Sequence, residues 1–178
     1  LSYTSPNVFT YYISFTPFRP PLSCPALVSY SIAPALPFGL NFDTVSGLIS
    51  GTPSVVSGSS TYTVTAINSG GSTSFGVIIT VNDSAPSSLS YTSPNVFTKN
   101  IAITPLSKSV SGGAVVSYSI APALPSGLSF DTVSGVISGI PSVISGSSTY
   151  TVTAVNSGGS TSFGIVITVN DSAPTLLW

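Results

Sequence analysis

Charge is the first thing this chain lacks. Its 178 residues include three cations, Arg19, Lys99 and Lys108, and four anions, Asp43, Asp83, Asp131 and Asp171. About a quarter of the residues in an ordinary globular protein are charged. So few scattered charges cannot form the basic stripe that follows a phosphate backbone, which excludes nucleic acid as a partner class. Solubility falls to Ser, Thr, Asn and backbone groups. Low net charge favours association, which suits a fibre or a surface layer better than a freely dispersed enzyme.

Histidine, glutamate and methionine are absent, and Cys24 is the only cysteine, with Gly112 at the equivalent place in the second half. No disulfide can close within the chain, and metal sites of the Cys/His kind are excluded by count. Without histidine there is no ordinary general base and no Cys–His pair. The Gly-Gly pairs are not phosphate loops, because neither a lysine nor a helix follows them. The chain is therefore not read as an enzyme, and no catalytic or cofactor-binding residue is assigned. No apolar run approaches the roughly 20 residues of a membrane-spanning helix, so membrane insertion is not expected. Neither a signal peptide nor an initiator Met is visible, as expected of a mature or excised piece.

What is present is one module written twice. Residues 29–86 return as 117–174, displaced by 88 positions without a gap and differing at eight places. Five of these, 48/136, 56/144, 67/155, 77/165 and 78/166, are exchanges among Ile, Leu and Val, which keep apolar character and nearly keep volume. LSYTSPNVFT at 1–10 recurs unchanged at 89–98. A period this long exceeds any solenoid turn and is enough to bury a core of its own. The organisation read here is repeat 1 at residues 1–88, repeat 2 at 89–176, and the start of a third at 177–178, with Leu177 in register with Leu1 and Leu89. The piece is thus expected to come from a longer array.

The pattern is all-β. Short runs rich in Thr, Val, Ile, Tyr and Phe are punctuated by Gly, Pro, Ser and Asn. At residues 60–66, Tyr62, Val64 and Ala66 alternate with threonines, giving one buried and one wet face. Asn68-Ser69-Gly70-Gly71 reads as a hairpin turn, and the return strand at 72–81 sets Phe75, Val77, Ile79 and Val81 on one face. Further strands are expected at 27–32, 40–42 and 48–50, and a first, edge strand at 8–15. Seven or so strands in fewer than 90 residues indicate a β-sandwich.

The runs LPFGLNFDTVSGLISGTP (36–53) and LPSGLSFDTVSGVISGIP (124–141), each followed by TYTVTA and NSGGSTS, resemble the Ig-like repeats of bacterial surface proteins, a group related to the dystroglycan-type cadherin-like domains. The resemblance covers most of each copy. It implies two tandem immunoglobulin-like β-sandwiches, of the kind strung along large extracellular proteins as stalk or adhesive segments. Ile140 departs from the Thr usual before the proline, which touches packing more than function.

Several residues are candidates for particular roles. Tyr62 and Tyr150 sit two residues before core valines, where sandwich domains place a tyrosine whose hydroxyl bonds nearby backbone; the other reading is ligand stacking. Asp43 and Asp131, in FDTVSG, are read as turn residues that accept backbone N–H bonds, with Gly47 and Gly135 taking left-handed conformations. Asp83 and Asp171, in VNDSAP, resemble the acidic junctions of cadherins and are the calcium candidates. Calcium takes six to eight oxygens, several of them charged, and the acidic partners are missing, so a capped turn with a Pro-stiffened linker at 84–90 is the alternative. The copies disagree most at 11–25 against 99–113. There Tyr11, Tyr12, Phe15, Phe18 and Arg19 are a possible contact surface, since aromatics with arginine make interface hot spots; drift in an edge strand and loop is the other reading.

These features together lead to a structural spacer in an extracellular filament, stalk or adhesin, whose partners are neighbouring repeats or identical subunits, with a glycan or host surface as a further possibility. Two alternatives stand beside it. One is a filament subunit joined by β-strand pairing. The other is a carbohydrate-binding accessory module using Tyr11, Tyr12 and Phe18.

Overall fold

The computed structural model describes residues 1–21 and 29–174. Cys24 and residues 177–178 lie outside them. The chain divides into two units, Leu1–Asp83 and Ser84–Trp178.

In the first unit, β1 (Asn7–Thr10), β2 (Ser29–Ala33), β5 (Ser57–Asn68) and β6 (Gly71–Asn82) form a four-stranded sheet in the order β1-β6-β5-β2. β5 and β6 are one long hairpin, in register from Ser60↔Ile79 to Asn68↔Gly71, with a shift between Ser57 and Ser60. Asn68 fixes the turn: its Oδ1 accepts the Gly70 N–H at 2.8 Å. β1 runs parallel to β6. A short hairpin, β3 (Leu40–Phe42) and β4 (Ile49–Gly51), belongs to the opposite layer, which Phe18 joins through a bridge to Ile49.

The second unit repeats this plan and adds two strands. Its first sheet has the order β10-β13-β14-β8, from β10 (Ser117–Ala121), β13 (Ser145–Asn156), β14 (Gly159–Asn170) and β8 (Asn95–Thr98). β7 (Pro86–Tyr91) pairs antiparallel with β9 (Lys108–Gly112), and a bridge from Leu106 to Ile137 joins them to β12 (Ile137–Gly139), the partner of β11 (Leu128–Phe130). Two opposed layers with these connections make an immunoglobulin-like sandwich. The counterpart of β9 in the first unit would fall on residues 20–24, of which 22–24 are not described.

Each core arises from the two-residue period of its strands. Tyr62, Val64 and Ala66 point inward from β5 and meet Val77, Ile79 and Val81 from β6, with Leu40 and Ile49 supplied by the opposite hairpin. The second core repeats the arrangement with Tyr150, Val152, Ala154, Ile165, Ile167 and Val169. Each fully buried Val or Ile contributes about 1.5–3 kcal/mol, so a handful per unit outweighs every surface term in so weakly charged a chain.

Three expectations are corrected. The strand expected at 8–15 stops at Thr10, because the Ile13 N–H donates to the Thr10 carbonyl at 3.0 Å and closes a turn in which Tyr12 takes a φ of 57°. The linker expected at 84–90 is largely β7, since its Pro86 and Leu89 are buried in the second unit. For the same reason the division between units falls at Asp83/Ser84 and not at the expected 88/89.

Candidate functional site

The motif shared by both copies builds a turn. Asp43 Oδ1 accepts the N–H groups of Val45 at 2.7 Å and Ser46 at 3.1 Å, and the Asp43 carbonyl accepts the Gly47 N–H at 2.8 Å. Asp131 does the same with Val133 at 2.8 Å and Ser134 at 3.2 Å. These backbone bonds favour the charged form and hold both carboxyls below the ordinary aspartate range, with Lys108 adding to the effect at Asp131. Gly47 and Gly135 sit at φ 70° and 71°. The carboxylates are thus occupied by their own loops.

The other glycines of the motif answer to crowding. Gly39 lies at φ 87°, and a Cβ there would overlap the Thr52 carbonyl oxygen. A Cβ on Gly51 would overlap the Gly39 carbonyl oxygen in turn. The backbones of the turn before β3 and the end of β4 therefore touch directly, tied by Thr52 N–H to Gly39 O at 2.9 Å and Ser54 N–H to Phe38 O at 2.8 Å.

The hydroxyl-to-backbone bond expected of Tyr62 and Tyr150 is made by other tyrosines. Tyr3 donates to the Gly47 carbonyl at 2.8 Å, and Tyr91 to the Gly135 carbonyl at 2.6 Å. Burial raises both phenols, Tyr91 to about 12, and the neighbouring Tyr30 or Tyr118 adds to the shift. Tyr62 and Tyr150 are core residues. The signal for Tyr3 and Tyr91 was the exact recurrence of LSYTSPNVFT, which residue chemistry alone did not convert into a role.

Asp83 and Asp171 directly follow the last strand of each repeat. Among the described residues no three His, Cys, Asp or Glu side chains come together. Asp171 Oδ1 accepts the Ser172 N–H at 3.0 Å. On either side of Asp83 the chain is fastened: the Asn82 carbonyl accepts the Tyr11 N–H at 2.8 Å within the first unit, and the Ser84 carbonyl accepts Asn156 Nδ2 at 2.6 Å within the second.

The divergent aromatic segment splits in two. Phe15 and Phe18 turn inward: Phe15 stacks on Phe9 with centroids 4.0 Å apart, and Phe18 meets the Tyr3 ring edge-on at 6.2 Å. Their counterparts Ile103 and Leu106 also pack on the core, so these positions fill volume in both copies. Tyr12 stands outside, 64% exposed, with its ring 4.0 Å from that of Tyr11. Arg19 is exposed. In the second unit an open groove of about 350 Å³ is lined by Lys108, Val110, Ser111 and Tyr118, with the Lys108 ammonium 5.1 Å from the Tyr118 ring centroid.

Comparison with known proteins places this architecture. The family model described as "Putative Ig domain" matches residues 2–82 and again 79–170. The chain belongs to the Putative Ig domain family. A "Serine-rich adhesin for platelets" of Staphylococcus aureus is 33% identical over 149 residues, covering 79% of this chain and 6% of the adhesin. The chain thus spans a small fraction of that relative. Solved structures similar in fold include Drosophila OTK extracellular domains 3–5 (TM-score 0.55, 14% identity, 95% of this chain and 61% of that one). Another is the N-terminal four Ig domains of Dscam1 isoform 9.44 (TM-score 0.50, 14% identity, 92% and 42%). At such identities they show the fold alone. Within each Putative Ig domain the LPxGLxFDTVSG signature is the crowded hairpin and Asp-capped turn described above, which makes it a folding signature.

Proposed function

We propose that the chain is a spacer segment of an extracellular bacterial surface protein, with its two Ig domains holding distance between a functional head and the cell. The observation that carries this reading is the repetition itself: two near-identical units each close a core of their own. The copies keep core and turn residues almost intact. Similarity to a staphylococcal adhesin supports an extracellular setting. The reading needs no cofactor and no catalytic group. Its partners are neighbouring repeats.

The test is a replacement experiment. The segment is placed between a binding head and a cell-wall anchor, then exchanged for an unrelated tandem Ig pair of equal length, or deleted. A spacer predicts that the exchange preserves ligand capture and the deletion loses it. Loss on exchange would show that the segment's own surface is required.

A further inference from the structure

We propose that the groove beside β9 in the second unit takes an extended acidic peptide, which pairs with β9 as an added strand. This goes beyond the spacer reading and does not depend on it.

β9 ends its sheet, with β7 as its one hydrogen-bonded neighbour among the described strands. In an antiparallel pair, successive residues turn their backbone groups to opposite sides. Ser109 and Ser111 stand opposite Ser90 and Ser87 of β7. Leu106 faces the other way and exchanges two bonds with Ile137, at 2.9 and 3.1 Å. By the same alternation Lys108 and Val110 direct their N–H and C=O groups away from β7. Beyond Leu106 the ladder to β12 stops, and among the described residues no backbone bond joins Lys108 or Val110 to the turn at 131–136. The groove of about 350 Å³ opens there, lined by Lys108, Val110, Val115, Tyr118 and Val133. An unpaired strand edge along a groove is a template for another extended chain.

The first unit provides an internal contrast. Pro20 and Pro21 stand where the second unit has Lys108 and Ser109. Proline has no N–H to give a ladder and blunts a sheet edge. Pro20 is also fully buried, whereas Lys108 is half-buried. Strand addition is thus blocked at this place in one unit and open in the other.

The chemistry of the groove selects the occupant. Unpaired backbone donors and acceptors suit a peptide main chain. Val110, Val115 and Val133 suit aliphatic side chains. The one formal charge among the lining residues is Lys108, whose ammonium lies 5.1 Å from the Tyr118 ring centroid. Asp131, the carboxylate that Lys108 acts on, already accepts the N–H groups of Val133 and Ser134. An acidic side chain on the added strand gives Lys108 a partner of its own. A second copy would instead bring another lysine on its own β9, and lysine on an edge strand disfavours pairing of like with like. Charge therefore favours an acidic peptide over a second copy of this chain.

The isotope-labelled intact chain is titrated to millimolar concentration with two blocked peptides, acetyl-Thr-Val-Asp-Val-Thr-amide and acetyl-Thr-Val-Lys-Val-Thr-amide, and followed by amide NMR shifts and hydrogen exchange. The acidic peptide is expected to shift the Lys108 and Val110 amides and slow their exchange several-fold. The lysine peptide is expected to bind several-fold more weakly. Lys108→Pro, which installs the first unit's residue, is expected to abolish the response at Val110 while Ser109 and Ser111 stay paired with β7. Should that variant fold poorly, Lys108→Glu keeps the backbone donor and is expected to reverse the preference, favouring the lysine peptide. Absence of shifts at Lys108 and Val110 with either peptide overturns the proposal. Equal binding of the two peptides does so too, as does a preference that survives Lys108→Glu. Shifts at these amides that grow with protein concentration, without peptide, would assign the edge to a second copy and also overturn it.

Discussion

The Tyr91 hydroxyl donates to the carbonyl oxygen of Gly135, 44 residues away, at 2.6 Å. The bond fastens the end of β7 to the turn between β11 and β12, and Tyr3 and Gly47 repeat it in the first unit. It ties the start of each repeat to the middle of its signature. Replacing Tyr91 with Phe removes the donor and leaves a buried carbonyl unpaired, which costs about 1–3 kcal/mol. Thermal unfolding should show the second unit melting several degrees lower, with the first unchanged.

The same tyrosine sets an alkaline limit. Its phenol is raised in the folded state from 10.0 to about 12, chiefly by burial. Stability from keeping it neutral is complete below the unfolded value and is lost as pH rises through the folded one. The second unit should therefore weaken between pH 10 and pH 12, and Tyr91→Phe should flatten that decline. Denaturant midpoints of both proteins across this range provide the check.

Crowding at the signature glycines predicts a contrast. Gly39→Ala forces a Cβ into the Thr52 carbonyl at a positive φ, and should cost more than about 2 kcal/mol. Gly58→Ala meets nothing within 4 Å and should be neutral or slightly stabilising, since alanine restricts the unfolded chain. Chemical denaturation of the two variants measures the difference directly.

Tyr12→Asn should stabilise the first unit by about 0.5–1 kcal/mol, by giving the left-handed position a residue that accepts it. A rise of a few degrees in that unit's transition is expected. A fall would show that ring contact with Tyr11 outweighs the backbone strain.

The carboxylate of Asp131 acts through its Oδ1 as an acceptor for two N–H groups. Asp131→Asn keeps an oxygen there and should lower the melting temperature little, whereas Asp131→Ala should lower it by several degrees. Because the folded-state pKa is depressed, the contribution of the charged form is present above the unfolded value near 3.8 and fades as pH falls through the folded one. The Asn variant should lack this acid sensitivity.

Strand alternation, hairpin chemistry and exact repetition made the sandwich legible before any coordinates. Tyr62, Val64 and Ala66 face inward, and the Asn68 turn closes β5 onto β6. The parallel β1 was not legible, because residues 7–15 keep an apolar pattern past the point where Tyr12 reverses the backbone. Unit boundaries were missed by a few residues, since Pro86 and Ser87 read as linker by composition although they open a strand. Tyr3 and Tyr91 escaped because a long-range bond to a carbonyl leaves no local pattern. Phe15 and Phe18 turned inward, away from the contact surface expected of them, because aromatic character does not reveal whether a loop side chain turns in or out.

Pulling the intact chain from its two ends in a single-molecule force experiment tests the central claim most directly. Independent load-bearing units predict two separate unfolding events. The first unit, Leu1–Asp83, should release on the order of 280 Å at about 3.4 Å per residue, less its folded length, and the second a similar increment. A single event of twice that size, or gradual extension without peaks, would contradict the account.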